Sequence, residues 1–209
     1  MVATRKQILS GFTLIELMIT LVVLVILITL AAPSFVDTLD RRRIVDAAET
    51  MVKQVQQARA VAVESGREIS MVFDDSGANW CFGLTDRIDA DGADCDCYQT
   101  LATHAEACTI PFGTASPTFA GEEFELVRAS GDQFQGVALQ AFPAELRFEP
   151  LRGVRVDAAA RGISPTVVIE FLSARGREAH VLVNLLGRAA TCSPDAGGSP
   201  SVSTMRACP

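Results

Sequence analysis

Six cysteines, two histidines and a run of aspartates are the side chains of this 209-residue chain best equipped to bind or react. Cys95, Cys97, His104 and Cys108 are spaced C-x-C-x6-H-x3-C, a donor set able to close around a tetrahedral zinc ion. The competing chemistry is oxidation. Cys81, Cys95, Cys97, Cys108, Cys192 and Cys208 all follow one long apolar run. An even count on one side of such a run suits an oxidising compartment such as the periplasm, so disulfides are favoured over zinc. Cys95 and Cys97 are expected to bond not to each other but to Cys81 and Cys108, in an order the sequence leaves open. Cys192 is then left for Cys208, a bridge that would tie down the tail.

The stretch "DRIDADGADCD" places Asp86, Asp89, Asp91, Asp94 and Asp96 around Gly92. Carboxylates alternating about a glycine suit a hard cation, and Asp89, Asp91, Asp94 and Asp96 are the calcium candidates. The spacing is not that of an EF-hand, and a solvated acidic loop is the better reading. Calcium apart, no cofactor is expected. Catalysis is not expected either. His104-x-Glu106 matches part of a zinc deaminase signature, but the paired P-C-x-x-C is missing. No nucleophile elbow, phosphate loop or HExxH occurs.

One carboxylate stands apart from the rest. Glu16 lies near the start of "GFTLIELMITLVVLVILITLAAPSFV", where a charge at membrane depth costs about 2.5–3.5 kcal/mol and calls for a partner. Leu17 to Val36 is free of charge, and at ~1.5 Å per residue it spans about 30 Å, the thickness of a bilayer core. A cleaved secretory signal fits less well. The apolar core is too long, Glu16 interrupts its start, and Pro33 follows the small residues Ala31 and Ala32. Arg41, Arg42 and Arg43 beyond the span outnumber Arg5 and Lys6 before it, so a positive-inside count would turn the C-terminal part inward, against the cysteines.

The elements that must position these residues follow from periodicity. Ile44, Ala48, Met51, Val55, Ala58 and Ala62 recur at helical steps, with Asp46, Glu49, Lys53 and Gln56 between them. This amphipathic helix is expected to run to Ser65-Gly66, where glycine offers a C-cap. Pro33 leaves the Thr29 carbonyl without its helical donor, and a bend is expected there. Beyond Gly66 the pattern changes to short β-type runs at 69–73, 80–84, 123–127, 146–149, 166–172 and 179–185. The last two, "TVVIEFL" and "AHVLVNLL", read as a hairpin across "SARGRE". The fold class is α+β: a long N-terminal helix, transmembrane then amphipathic, on an antiparallel sheet domain.

"GFTLIEL" at Gly11–Leu17 resembles the type IV prepilin signature, a short basic leader ending in glycine, then phenylalanine, then glutamate four residues later. The resemblance implies a prepilin peptidase that cuts between Gly11 and Phe12 and methylates the new amino terminus at Phe12. It also answers the question Glu16 poses. Its carboxylate would neutralise the Phe12 ammonium of a neighbouring subunit as helices pack into a filament, making a pair of two charges that are each costly in lipid. The parts are then a leader at 1–11, a transmembrane segment at 12–36, its amphipathic continuation at 37–66 and a periplasmic β-rich domain at 67–209.

"NWCFGL" at 79–84, "CDC" at 95–97, "RFEPLRG" and "NLLGRAATCSP" resemble, in order, the FimT/GspH family of minor pilins and pseudopilins. That resemblance implies a single-pass protein of the inner membrane. Its partners would be the peptidase, membrane lipid and other major and minor pilins or pseudopilins of a type IV pilus or a type II secretion system. DNA is a further candidate partner, because some relatives carry a basic Gly-Arg-x-Arg. Here the stretch is Gly187-Arg188-Ala189-Ala190, without the second arginine. The net charge of −7 also argues against nucleic acid, although the final third is locally positive. Arg175, Arg177, Arg188 and Arg206 are the candidate contacts should DNA bind.

Overall fold

The computed structural model describes residues 13–75, 79–88, 93–111, 118–119, 122–156, 166–194, 202 and 204–209. Helix α1 runs from Leu14 to Ser65. The chain divides into two compact units, Met1–Leu39 and Asp40–Pro209.

In the first unit the helix is apolar on every side. Described side chains from Leu14 to Ile28 are all exposed. By length and composition the helix is able to cross a membrane. Three of its hydroxyls are satisfied internally: Thr20 Oγ1 donates to the Leu17 carbonyl, Thr29 Oγ1 to Ile26 and Thr38 Oγ1 to Ser34, at 2.8–3.0 Å. A threonine that bonds back to its own helix brings no unmet polar group into an apolar medium. The helical assignment continues through Pro33.

In the second unit the same helix has two unlike faces. Ile44, Ala47, Ala48, Met51, Val55, Ala58 and Ala62 have no exposed surface, while Asp46, Glu49, Lys53 and Gln56 face water. Gly66 ends it with φ +67°, its N–H bonding the Ala62 carbonyl at 3.1 Å. This is the left-handed stop that a residue with a Cβ resists.

The strands are β1 (Ile69–Asp75), β2 (Trp80–Thr85), β3 (Thr109–Pro111), β4 (Thr118–Phe119), β5 (Glu122–Leu126) and β6 (Arg128–Ser130). They continue with β7 (Val137–Ala141), β8 (Glu145–Phe148), β9 (Arg155–Val156), β10 (Thr166–Ser173), β11 (Glu178–Asn184) and β12 (Ala189–Cys192). They form sheets of order β6-β2-β1-β8-β9, β12-β11-β10-β7 and β3-β5-β4, with every pairing antiparallel. The fold is α+β, as the periodicity implied. The expected hairpin is present, Thr166 opposite Asn184 through Leu172 opposite Glu178.

One buried cluster joins α1 to the two larger sheets. Trp80 is its hinge pin. The indole stacks on Phe82 and Phe134, meets Phe171 of β10 edge-on, and donates from Nε1 to the Val137 carbonyl at 2.7 Å. Arg155 couples the sheets again: it is buried, its Nη1 donates to the Val183 carbonyl and its N–H to Leu185. Full burial of side chains such as Met51, Ile69 or Phe148 contributes about 1.5–3 kcal/mol each.

Candidate functional site

The cysteine-rich loop between β2 and β3 is closed by two disulfides, Cys81–Cys97 and Cys95–Cys108, with Cα separations of 5.7 and 4.9 Å. Cys192–Cys208 is the third, and no cysteine is free. The structure therefore supplies the order that the sequence left open. In this disulfide-bonded state Cys95, Cys97, His104 and Cys108 do not make a zinc set: Cys95 and Cys108 are bonded to each other and Cys97 to Cys81, so none offers a thiolate. His104 is exposed, and its Nδ1 accepts the Glu106 N–H at 3.3 Å.

The residues of "NWCFGL" all serve this architecture. Cys81 anchors the loop, and Trp80, Phe82 and Leu84 fill the core. A Cβ on Gly83 would lie 2.6 Å from both Cβ and Sγ of Cys108, so only glycine lets that bridge pack on β2. Polar bonds hold the loop further. Arg128 Nε donates to the Cys97 carbonyl at 2.6 Å, Tyr98 Oη to the Asn79 carbonyl at 2.6 Å, and Arg87 to the Ala107 carbonyl.

Among the calcium candidates, Asp89 and Asp91 lie outside the described residues. Asp94 is exposed. Asp96 has both carboxylate oxygens engaged, by the Tyr98 N–H at 2.8 Å and the Gln99 amide at 2.9 Å. These bonds form an Asx turn, so Asp96 stands as a turn-former.

The arginine candidates are not brought together. Arg177 must be withdrawn as a DNA contact, because it is buried and its Nη1 lies 3.0 Å from Asp40 Oδ2. Ser173 Oγ donates to the same oxygen at 2.9 Å. Arg175 and Arg188 are exposed but lie at opposite ends of β11, about 20 Å of strand apart. Arg206 is also exposed, and its carbonyl accepts the Ser193 N–H. The Asp40–Ser173–Arg177 cluster was not legible in the sequence, since Asp40 lies more than 130 residues from the other two. Arg43 is likewise part of the folded unit, donating to the Gln135 carbonyl at 3.2 Å.

At the other end of the chain, Gly11 and Phe12 lie outside the described residues. Thr13 immediately precedes α1, and its Oγ1 accepts the Glu16 N–H at 3.3 Å. Thr-x-x-Glu is the spacing of a capping box, which satisfies a backbone donor that an apolar medium would leave orphaned. The Glu16 side chain itself is exposed in the first turn. Among the described residues no cation meets it.

Residues 10–32 match the family described as "Prokaryotic N-terminal methylation motif". The chain carries a prokaryotic N-terminal methylation motif. No curated protein matches the chain. Two crystal structures of the type IV minor pilin FimU from Pseudomonas aeruginosa PAO1 are similar in part. The P21 form is 16% identical with a TM-score of 0.39, covering 77% of this chain and 94% of that one. The P65 form is 15% identical with a TM-score of 0.38, covering 74% and 95%. At that level of likeness neither structure informs on what this chain does. The methylation motif does inform, because it spans the Gly11-Phe12 junction, the Thr13 cap, Glu16 and most of the apolar helix at once.

Proposed function

We infer that this protein is a structural, non-enzymatic subunit of the minor pilin or pseudopilin type. A prepilin peptidase cleaves it between Gly11 and Phe12 and methylates Phe12. Residues 12–36 hold it in the inner membrane with its disulfide-bonded domain in the periplasm. It then enters a type IV pilus or a type II secretion pseudopilus alongside other major and minor pilins or pseudopilins.

The single observation that carries this reading is the methylation motif at residues 10–32. Support comes from the state of the helix it occupies. The Thr20 and Thr29 hydroxyls and the Glu16 N–H are satisfied locally, whereas the exposed Glu16 carboxylate is a charge that an apolar medium makes costly and that calls for a partner from another molecule. An ammonium on Phe12 of the next subunit is the charge this carboxylate fits. Pro33 supplies a point at which the helix can bend as subunits pack.

Mass spectrometry of the membrane-bound protein tests the reading. The chain is expected to begin at methylated Phe12. An intact Met1 leader, or a start after Ala31, would sink it. Glu16→Ala is expected to be cleaved normally yet to be lost from filaments, since only packing between subunits needs the carboxylate. Deletion of the gene, scored in parallel for surface motility, DNA uptake and exoprotein secretion, assigns the machine.

A further inference from the structure

His180 on β11 lies directly opposite Cys192 on β12 in the antiparallel register, so both side chains stand on the same face of the sheet. Cys208 reaches that face from the C-terminal tail, its Sγ 3.8 Å from His180 Nδ1. The ring nitrogen and the two sulfurs all lie within 4.8 Å of one another. Among the described residues, neither of the other two disulfides has an imidazole or carboxylate in such a set.

We propose that the Cys192–Cys208 bridge and His180 form a redox-gated site for a thiophilic d10 cation, closed as a disulfide and open as a His-Cys-Cys ligand set. The geometry fits the ion. With zinc bonds of about 2.3 Å to sulfur and about 2.0–2.1 Å to nitrogen, neighbouring donors in a tetrahedron lie roughly 3.6 Å apart. The imidazole and the Cys208 sulfur already stand at nearly that separation. Parting the two sulfurs by the length of a broken bond brings the third edge into range. The fourth position is left for water.

The ligands stay in place when the bridge opens, because the tail is docked without it. Ser193 N–H donates to the Arg206 carbonyl at 2.8 Å, Cys208 N–H to the Ser193 carbonyl at 3.1 Å and Val202 N–H to Ser193 Oγ at 3.1 Å. Val202 is itself buried in the main core, 1% exposed. These contacts hold Cys208 against His180 whatever the state of its sulfur.

The chemistry balances. A dithiol reductant transfers two electrons to the Cys192–Cys208 bond and closes its own disulfide, and its two protons pass to the released sulfurs. The cation then displaces both protons to solvent. Two thiolates and one neutral imidazole on a divalent cation leave no net charge, which suits Cys192, only 3% exposed.

The test uses the full chain in detergent, reduced with dithiothreitol, freed of it under argon and titrated with cobalt(II) as a spectroscopic stand-in for zinc. Reduced wild type is expected to bind one cobalt per chain beyond what the reduced Cys192→Ser, Cys208→Ser double variant binds. That extra ion should show thiolate-to-cobalt absorption and be displaced by zinc. Oxidised wild type is expected to lack it. His180→Ala, which retains all six cysteines, is expected to weaken the extra site at least ~10-fold. Equal uptake by reduced wild type and the double variant would overturn the proposal, as would unchanged affinity in His180→Ala. The His180→Ala comparison decides the matter alone if the serine variant does not fold.

Discussion

Two stretches of one helix obey opposite rules. From Leu14 to Ile28 every described side chain is exposed, and its side-chain hydrogen bonds among the described residues are local, as those of Thr13 with Glu16 and of Thr20 with Leu17. From Asp40 to Ala62 one apolar face, Ile44, Ala47, Ala48, Met51, Val55, Ala58 and Ala62, is fully buried, and Asp40 reaches across more than a hundred residues to Ser173 and Arg177. The first stretch, apolar and exposed, suits an apolar medium or a neighbouring helix around it. The second is held by a core, and its partners are already specified. A substitution in one stretch should be felt in assembly, and in the other in folding.

The largest effect that can break this contrast is at Asp40. Asp40→Ala removes the carboxylate that meets the buried Arg177 guanidinium, and breaking a buried ion pair from one side costs about 3–5 kcal/mol. Urea unfolding of the full chain in detergent measures it. Near-wild-type stability would show that the pair is dispensable and that the helix is not locked to the β10–β11 turn. The double change Asp40→Leu, Arg177→Met should recover much of the loss.

Gly83→Ala sharpens the comparison at smaller cost. The new methyl group meets Cys108 at 2.6 Å, and overpacking of this kind costs about 1–3 kcal/mol. Thermal unfolding with the disulfides intact should report it, and the loss should shrink once the bridges are reduced. Leu24→Ala, on the exposed side of the contrast, should by comparison change domain unfolding by no more than about 0.5 kcal/mol.

The smallest expected effect concerns DNA. Of the exposed arginines, Arg175 and Arg188 lie beyond opposite ends of β11 and Arg206 is in the tail; the fourth candidate is buried, and each phosphate contact contributes about one unit of salt slope. Titration of labelled duplex at physiological salt should show weak binding, little altered by Arg188→Ala. Submicromolar affinity lost in that variant would move transformation to first place among the functions.

Much of this molecule could be read from local pattern alone. Helix termini, the buried positions 44, 48, 51, 55, 58 and 62, the Gly66 stop and the β10–β11 hairpin depend on spacing within a few residues, where periodicity is a direct record of which face meets water. The methylation motif is equally local, confined to residues 10–32. Short strands such as β6, β9 and β12 escaped, because two to four residues carry no period and their pairing comes from neighbours. Which cysteine bonds which, that Arg177 is buried on Asp40 and that His180 stands over Cys192 and Cys208 were likewise decided only in three dimensions. Each of these depends on chain segments whose meeting is set by the register of two sheets and the packing of a core. The sequence named the residues capable of such chemistry; only the fold brought particular ones within reach of each other.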